Sequence, residues 1–125
     1  MFRPARRLVP YAAAVAAAVA LAVPATSGAA TTCKLSGSQQ RHMGPTYVTV
    51  LKVSGTSCST GIAVTKAYHS CRLKHGKRGT CKTSVRGYRC TDRRPASESI
   101  PTQFTGHVTC KRGSARITHD YQQDT

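Results

Sequence analysis

Six cysteines constrain this chain more than any other feature: Cys33, Cys58, Cys71, Cys81, Cys90 and Cys110 all fall after residue 32. An even count in so short a stretch argues for a disulfide framework made in an oxidising compartment, and against cytosolic thiol chemistry. The intervals between them are 25, 13, 10, 9 and 20. None has the two-residue gap of a zinc knuckle or a redox pair, so the sequence nominates no metal ligand and no cofactor.

The first thirty residues read as a secretory signal peptide. Arg3, Arg6 and Arg7 form a basic leader, an uncharged Ala/Val run extends from Ala12 to Val23, and ATSGAA follows. Small residues at Ser27/Ala29 or Gly28/Ala30 fit a cut that leaves Ala30 or Thr31 first. A spanning helix needs ~20 apolar residues, more than this run provides, so no transmembrane anchor is expected after signal removal. The triplet before Cys33 is ATT, unlike a lipoprotein signal. What remains, residues 31–125, is one domain of roughly 95 residues.

Without the three signal arginines, 16 of the 19 basic residues stand against 4 acidic ones, a net charge of +12. That imbalance attracts polyanions or anionic surfaces, or serves solubility, and specifies no fold.

Residues 31–45 read as a polar arm tied down by Cys33, and Thr46–Val53, rich in β-branched residues, as the first strand. Thr56 or Ser57 caps a helix that runs to about His75 and ends at Gly76. Its predicted apolar side carries Cys58, Ile62, Ala63, Val64, Ala67, Tyr68 and Cys71; its polar side carries Thr65, Lys66, His69 and Arg72. A basic loop covers 77–84, and Val85–Thr91 reads as a second strand. A turn-rich connection with Pro95 and Pro101 leads to a hairpin, Gln103–Lys111 with Ala115–Tyr121, turning at Arg112 and Gly113. Pairing residue 108 with 117 and 110 with 115 buries one consistent face. Residues 122–125 carry no packing signal and read as a flexible tail.

This order, β-α-β-β-β, predicts an α+β domain: one helix on an antiparallel or mixed sheet of about four strands. Six cysteines allow fifteen pairings. A right-handed crossover between parallel first and second strands would bring Cys58 to Cys90, leaving Cys33 for Cys110 and Cys71 for Cys81.

The segments Thr46-Tyr47-Val48, Ser57-Cys58, Tyr68 to Cys71, Gly87-Tyr88-Arg89-Cys90, and Val108-Thr109-Cys110 before Gly113 resemble small secreted cysteine-containing proteins of unknown function from high-GC Gram-positive bacteria. The resemblance covers most of residues 31–125 and implies a disulfide-stapled domain, without an activity or functional residues.

For chemistry, histidines are the first suspects, since two histidines and a lysine can run ribonuclease-type phosphoryl transfer. The predicted hairpin turns His107 and His119 to opposite faces. His69 falls on the helix's polar side, and His75 at its end suits the helix dipole. Asp92, Glu98, Asp120 and Asp124 lie in loops, strand ends or the tail, with no reason to converge, and no GxSxG is present. No catalytic residue is nominated. The strongest signal is basic: Arg72, Lys74, Lys77, Arg78, Lys82, Arg86, Arg89, Arg93 and Arg94, interrupted only by Asp92. The expected function is a secreted, non-enzymatic binding or cell-envelope-associated module with weak polyanion affinity, its partners anionic wall polymers such as teichoic acids, or extracellular nucleic acid. Tyr88 alone interleaves with the cluster, too little for base stacking or sequence-specific reading. The alternatives are a small secreted hydrolase or toxin, ribonuclease-like, and a disulfide-rich enzyme inhibitor presenting the loop from Arg93 to Pro101.

Overall fold

YVTVLKVS, with its β-branched residues, forms strand β2 (Tyr47–Ser54). Val48 and Leu51 are both buried although three positions apart, because the register with the neighbouring strand slips between Val48 and Val50. The bulge turns both side chains to one face. The computed structural model describes Pro10, residues 12–19 and residues 28–125; most of the sequence-predicted signal peptide lies outside these.

The other elements are β1 (Thr31–Thr32), α1 (Gly37–Arg41), α2 (Cys58–Leu73), β3 (Arg89–Arg93), a 3-10 turn at Ala96–Glu98, β4 (Ser99–Ile100), β5 (Gln103–Arg112) and β6 (Ala115–Asp124). The class is α+β, with one main helix on a six-stranded antiparallel sheet. Two expectations change: there are six strands, and the order along the sheet is β1-β2-β6-β5-β3, with β4 on β5. Three antiparallel steps separate β2 from β3, so they run in opposite directions and no parallel crossover joins them.

The arm is more ordered than its composition implied. Ser36 and Gln39 form a reciprocal capping box on α1, Cys33 N–H extends the sheet by donating to Leu51 O at 2.8 Å, and the Tyr47 hydroxyl donates to Gln40. Residues 122–124 belong to β6, not to a flexible tail. Val85–Tyr88 is a tight turn rather than strand, closed by two backbone bonds of 2.9 and 2.8 Å. Arg86 (φ 49°) and Gly87 (φ 81°) are both left-handed there, as a two-residue turn with the primed twist requires. The β5–β6 turn falls at Gly113 and Ser114, which pairs Val108 with His119 and Cys110 with Ile117. This two-residue shift from the expected register leaves every side chain on its expected face.

The disulfides are Cys33–Cys58, Cys71–Cys81 and Cys90–Cys110. The local pair is as expected; the other two correct the sequence reading. β1 continues along β2 and brings Cys33 to the start of α2, while Cys90 and Cys110 face each other directly in the β3–β5 register.

Helix α2 covers one face of the sheet. Ser57 Oγ caps it by accepting from Thr60 N–H at 3.1 Å. Its buried residues are Gly61, Val64, Thr65, Tyr68, His69 and Arg72. Val64 and Tyr68 thus turn inward as expected, whereas Thr65, His69 and Arg72, read as the polar side, turn inward with them and Lys66 alone of that set stays exposed. Gly61 makes the approach possible: a Cβ there would lie 2.7 Å from Val53 Cγ1.

Candidate functional site

The inward face of α2 meets β3 and β6 in a buried polar cluster. Arg72 Nε donates to His69 Nδ1 at 2.7 Å, which leaves the His69 proton on Nε2. That N–H points at His119 Nε2, 2.8 Å away, so the His119 proton sits on Nδ1. His119 Nδ1 is buried without a partner. His69 and His119 are 0% and 1% exposed. Burial pushes both pKa values down, that of His119 to about 4, and the neighbouring His119 and Arg72 push His69 further. Both rings are therefore neutral at pH 7 and closed to solvent.

Asp92 is the second centre. Tyr121 and Tyr68 donate to its Oδ2 at 2.6 and 2.7 Å, and Arg94 Nη2 and Nε donate to the same oxygen at 3.0 and 3.2 Å. Oδ1 has no partner. Burial and the carboxylate raise the pKa of both tyrosines, so their hydroxyls stay protonated donors. Burial works against the charge on Arg94, but Asp92 and Tyr121 outweigh it and hold its pKa up. Arg94 also donates to the carbonyls of Arg78 and Gly79 at 2.7 Å each and lies 4.5 Å from the Phe104 ring centroid.

Two further carboxylates, Glu98 of the 3-10 turn and Asp120 of β6, do converge, on the other face. His107 holds Asp120 Oδ1 at Nδ1 and Glu98 Oε2 at Nε2, each at 2.7 Å. Both hydrogen bonds, Asp120 first, raise its pKa. Asp124 Oδ1 accepts from Gln103 Nε2 at 3.0 Å. All four acidic residues are thus engaged within the domain. The Glu98 contact, with β4 and the bonds from Arg78 Nη2 to Ile100 O and Pro101 O, folds the loop from Arg93 to Pro101 down onto β5.

The basic residues divide differently from their order in sequence. Arg72 is fully buried, donating also to Lys77 O and Gln123 Oε1, and Arg94 is committed to Asp92. Lys74, Lys77, Arg78, Lys82 and Arg86 are exposed after α2. Arg89 and Arg93 are exposed on the sheet face away from α2, where Lys111 and Arg116, outside the sequence cluster, join them. Among the described residues, fourteen lysines and arginines are exposed and none of these forms a salt bridge.

Three depressions adjoin this surface. One of about 500 Å³ is lined by His75, Arg78, Lys82 and Thr83; the next, about 400 Å³, by Lys82, Thr83, Ser84, Arg89 and Thr91; the last, about 490 Å³, by Arg89, Thr91, Thr109, Lys111 and Arg116. A fourth, about 460 Å³, lies between Arg78, Arg94 and Phe104; the Arg94 donors there already serve Asp92 and backbone carbonyls, while Arg78 donates from Nη2 alone, to Ile100 O and Pro101 O. No group of three or more metal-ligating side chains occurs among the described residues.

The sequence reading missed Asp92 as a buried anchor and placed His69 and Arg72 outside. The signal was there in two spacings: Cys90, Asp92 and Arg94 alternate as one face of a strand, and Gly61, Thr65, His69 and Arg72 follow the three-to-four step of a helix. No protein-family model matches the chain, and neither a curated protein nor a solved structure matches it.

Proposed function

We propose that the protein is a secreted, non-enzymatic module that attaches by charge to anionic polymers of the cell envelope. One observation carries this reading: every carboxylate is engaged inside the domain, while fourteen exposed cations have no ion-pair partner among the described residues. Such a surface lowers its free energy by exchanging small counterions for a polyanion. Three disulfides support an oxidising destination, and among the described residues no helix is long and apolar enough to cross a membrane. The enclosed His69–His119 pair supports a structural role for those rings over phosphoryl transfer.

The test is retention of the protein on heparin and on teichoic acid as salt rises. Binding should be clear at ~50 mM salt and fall by at least ~100-fold by ~200 mM, since six or more phosphate contacts give a steeper loss still. In culture fractions the protein should stay with the wall and leave it in salt. No binding at low salt, together with free protein in the medium, would sink the proposal.

A further inference from the structure

Arg89, Lys111 and Arg116 are directly opposite one another on β3, β5 and β6: Arg89 pairs with Lys111, and Lys111 with Arg116. All three are exposed on the face away from α2. Like charges in directly opposed strand positions repel, and each pair weakens the sheet unless something neutralises it. No acidic side chain of the protein does so. Asp92 lies on the opposite face, and Asp120, which pairs with His107 further along the strands, is held by that ring. The row nearer to the charges is Thr91, Thr109 and Thr118, again directly opposed. Threonine hydroxyls beside three cations are donors to a tetrahedral anion.

The row does not stand alone. Its depression shares Arg89 and Thr91 with the next, and that one shares Lys82 and Thr83 with the depression holding Arg78 and His75. The three therefore form one track around the β3 edge of the sheet. Two disulfides hold it: Cys90–Cys110 joins β3 to β5 beside Arg89 and Lys111, and Cys71–Cys81 closes the loop under the far end. A surface fixed in this way loses little conformational freedom on binding. No phenylalanine, tyrosine or tryptophan lines any of the three depressions, and the imidazole of His75, at the far end, is the one ring among them. A nucleic-acid channel gains much of its affinity from bases stacked on aromatic rings, so the lining favours a polymer without bases.

We infer that this track binds a phosphodiester-linked polyol chain, with one phosphate on the Arg89–Lys111–Arg116 row between Thr91 and Thr109 and the next ones following Lys82 towards Arg78. The inference rests on the polyanion reading above and narrows it to one surface and one polymer class.

The experiment measures binding of the disulfide-intact protein to a glycerol-phosphate polymer and to polyuridylate at the same low salt. One triple variant is R89Q/K111Q/R116Q; its charge-matched control is K34Q/K52Q/K66Q; T91V/T109V leaves the charge unchanged. The track predicts at least a tenfold loss in the first variant, less than threefold in the control, and a loss of about threefold in the threonine variant. It also predicts that the wild type prefers the glycerol-phosphate polymer to polyuridylate. If the first variant misfolds, as its circular dichroism would show, the threonine variant still decides. Equal loss in both triple variants, or no loss in the threonine variant, overturns the track while leaving diffuse polyanion binding intact. Tighter binding of polyuridylate overturns the polymer class. No binding of either polymer by the wild type removes the underlying reading as well.

Discussion

Arg72 Nη2 and Gln123 Oε1 meet at 2.7 Å inside the protein, across 51 positions of sequence. The bond ties the last turn of α2 to the far end of β6, and both side chains are buried. Gln123→Ala should therefore lower stability by about 1–3 kcal/mol, because a guanidinium donor is left in a dry site without an acceptor. Chemical denaturation of the variant beside the wild type measures this. A change within a few tenths of a kcal/mol would mean that the end of β6 is dispensable.

Stability should peak near neutral pH, for two opposite reasons. His69 and His119 have folded pKa values below the unfolded 6.5, that of His119 about 4. Below about pH 6.5 the unfolded chain takes up protons that the folded one refuses, so folding weakens by up to ~tenfold per pH unit for each ring. His107 has a raised pKa, so its contribution is complete below 6.5 and is lost as pH rises through the folded value. Denaturant midpoints from about pH 4.5 to 8.5 test this. His119→Asn should flatten the acid side and His107→Gln the alkaline side; a wild-type profile level from pH 7 to 5 would contradict the buried neutral pair.

Gly106→Ala should disturb the polar cluster from the sheet side. A Cβ at Gly106 would lie 2.2 Å from Tyr121 Cε1, its direct cross-strand partner. The ring must shift, and its 2.6 Å bond to Asp92 is lost. We expect a loss of about 2–3 kcal/mol and an altered near-ultraviolet tyrosine signal. An unchanged melting temperature would mean that the ring has room that the structure denies it.

Arg86→Asn should stabilise the domain while weakening polyanion binding. Arg86 has φ 49° at the first position of the Val85–Tyr88 turn, a conformation that asparagine tolerates better. A gain of about 0.5–1 kcal/mol is expected. Calorimetry measures the gain and salt elution the binding. A variant less stable than the wild type would show that the arginine side chain itself holds the turn.

The fold class, the main helix, the β5–β6 hairpin and the local Cys71–Cys81 bridge were legible because each depends on near neighbours in sequence. The long-range disulfides were not. Cys33–Cys58 depends on β1 pairing with β2 and Cys90–Cys110 on β3 pairing with β5, and nothing local in the sequence marks which strands become neighbours. The helix face was misread in part, for a related reason: Val64 and Tyr68 are buried as expected, but they share the inward face with polar residues. Hydrophobicity favoured Ile62, Ala63 and Ala67, but Thr65, His69 and Arg72 are buried because each finds a partner: Gly61 O at 2.8 Å, His119, and Gln123. The basic surface was legible as charge, whereas its opposition of Arg89, Lys111 and Arg116 exists only once β3, β5 and β6 are in register.

The pairing of β2 with β6 governs when this domain can come into being. The first long strand and the last are neighbours in the middle of the sheet, with the helix and every other long strand between them in sequence. A chain emerging from a ribosome holds β2 without its central neighbour until residues 115–124 arrive. Folding is then concentrated into one late event, and such non-local closure is intrinsically slow. Until that event the sheet has no centre, and the like charge carried by every copy of the unfinished chain disfavours association between copies.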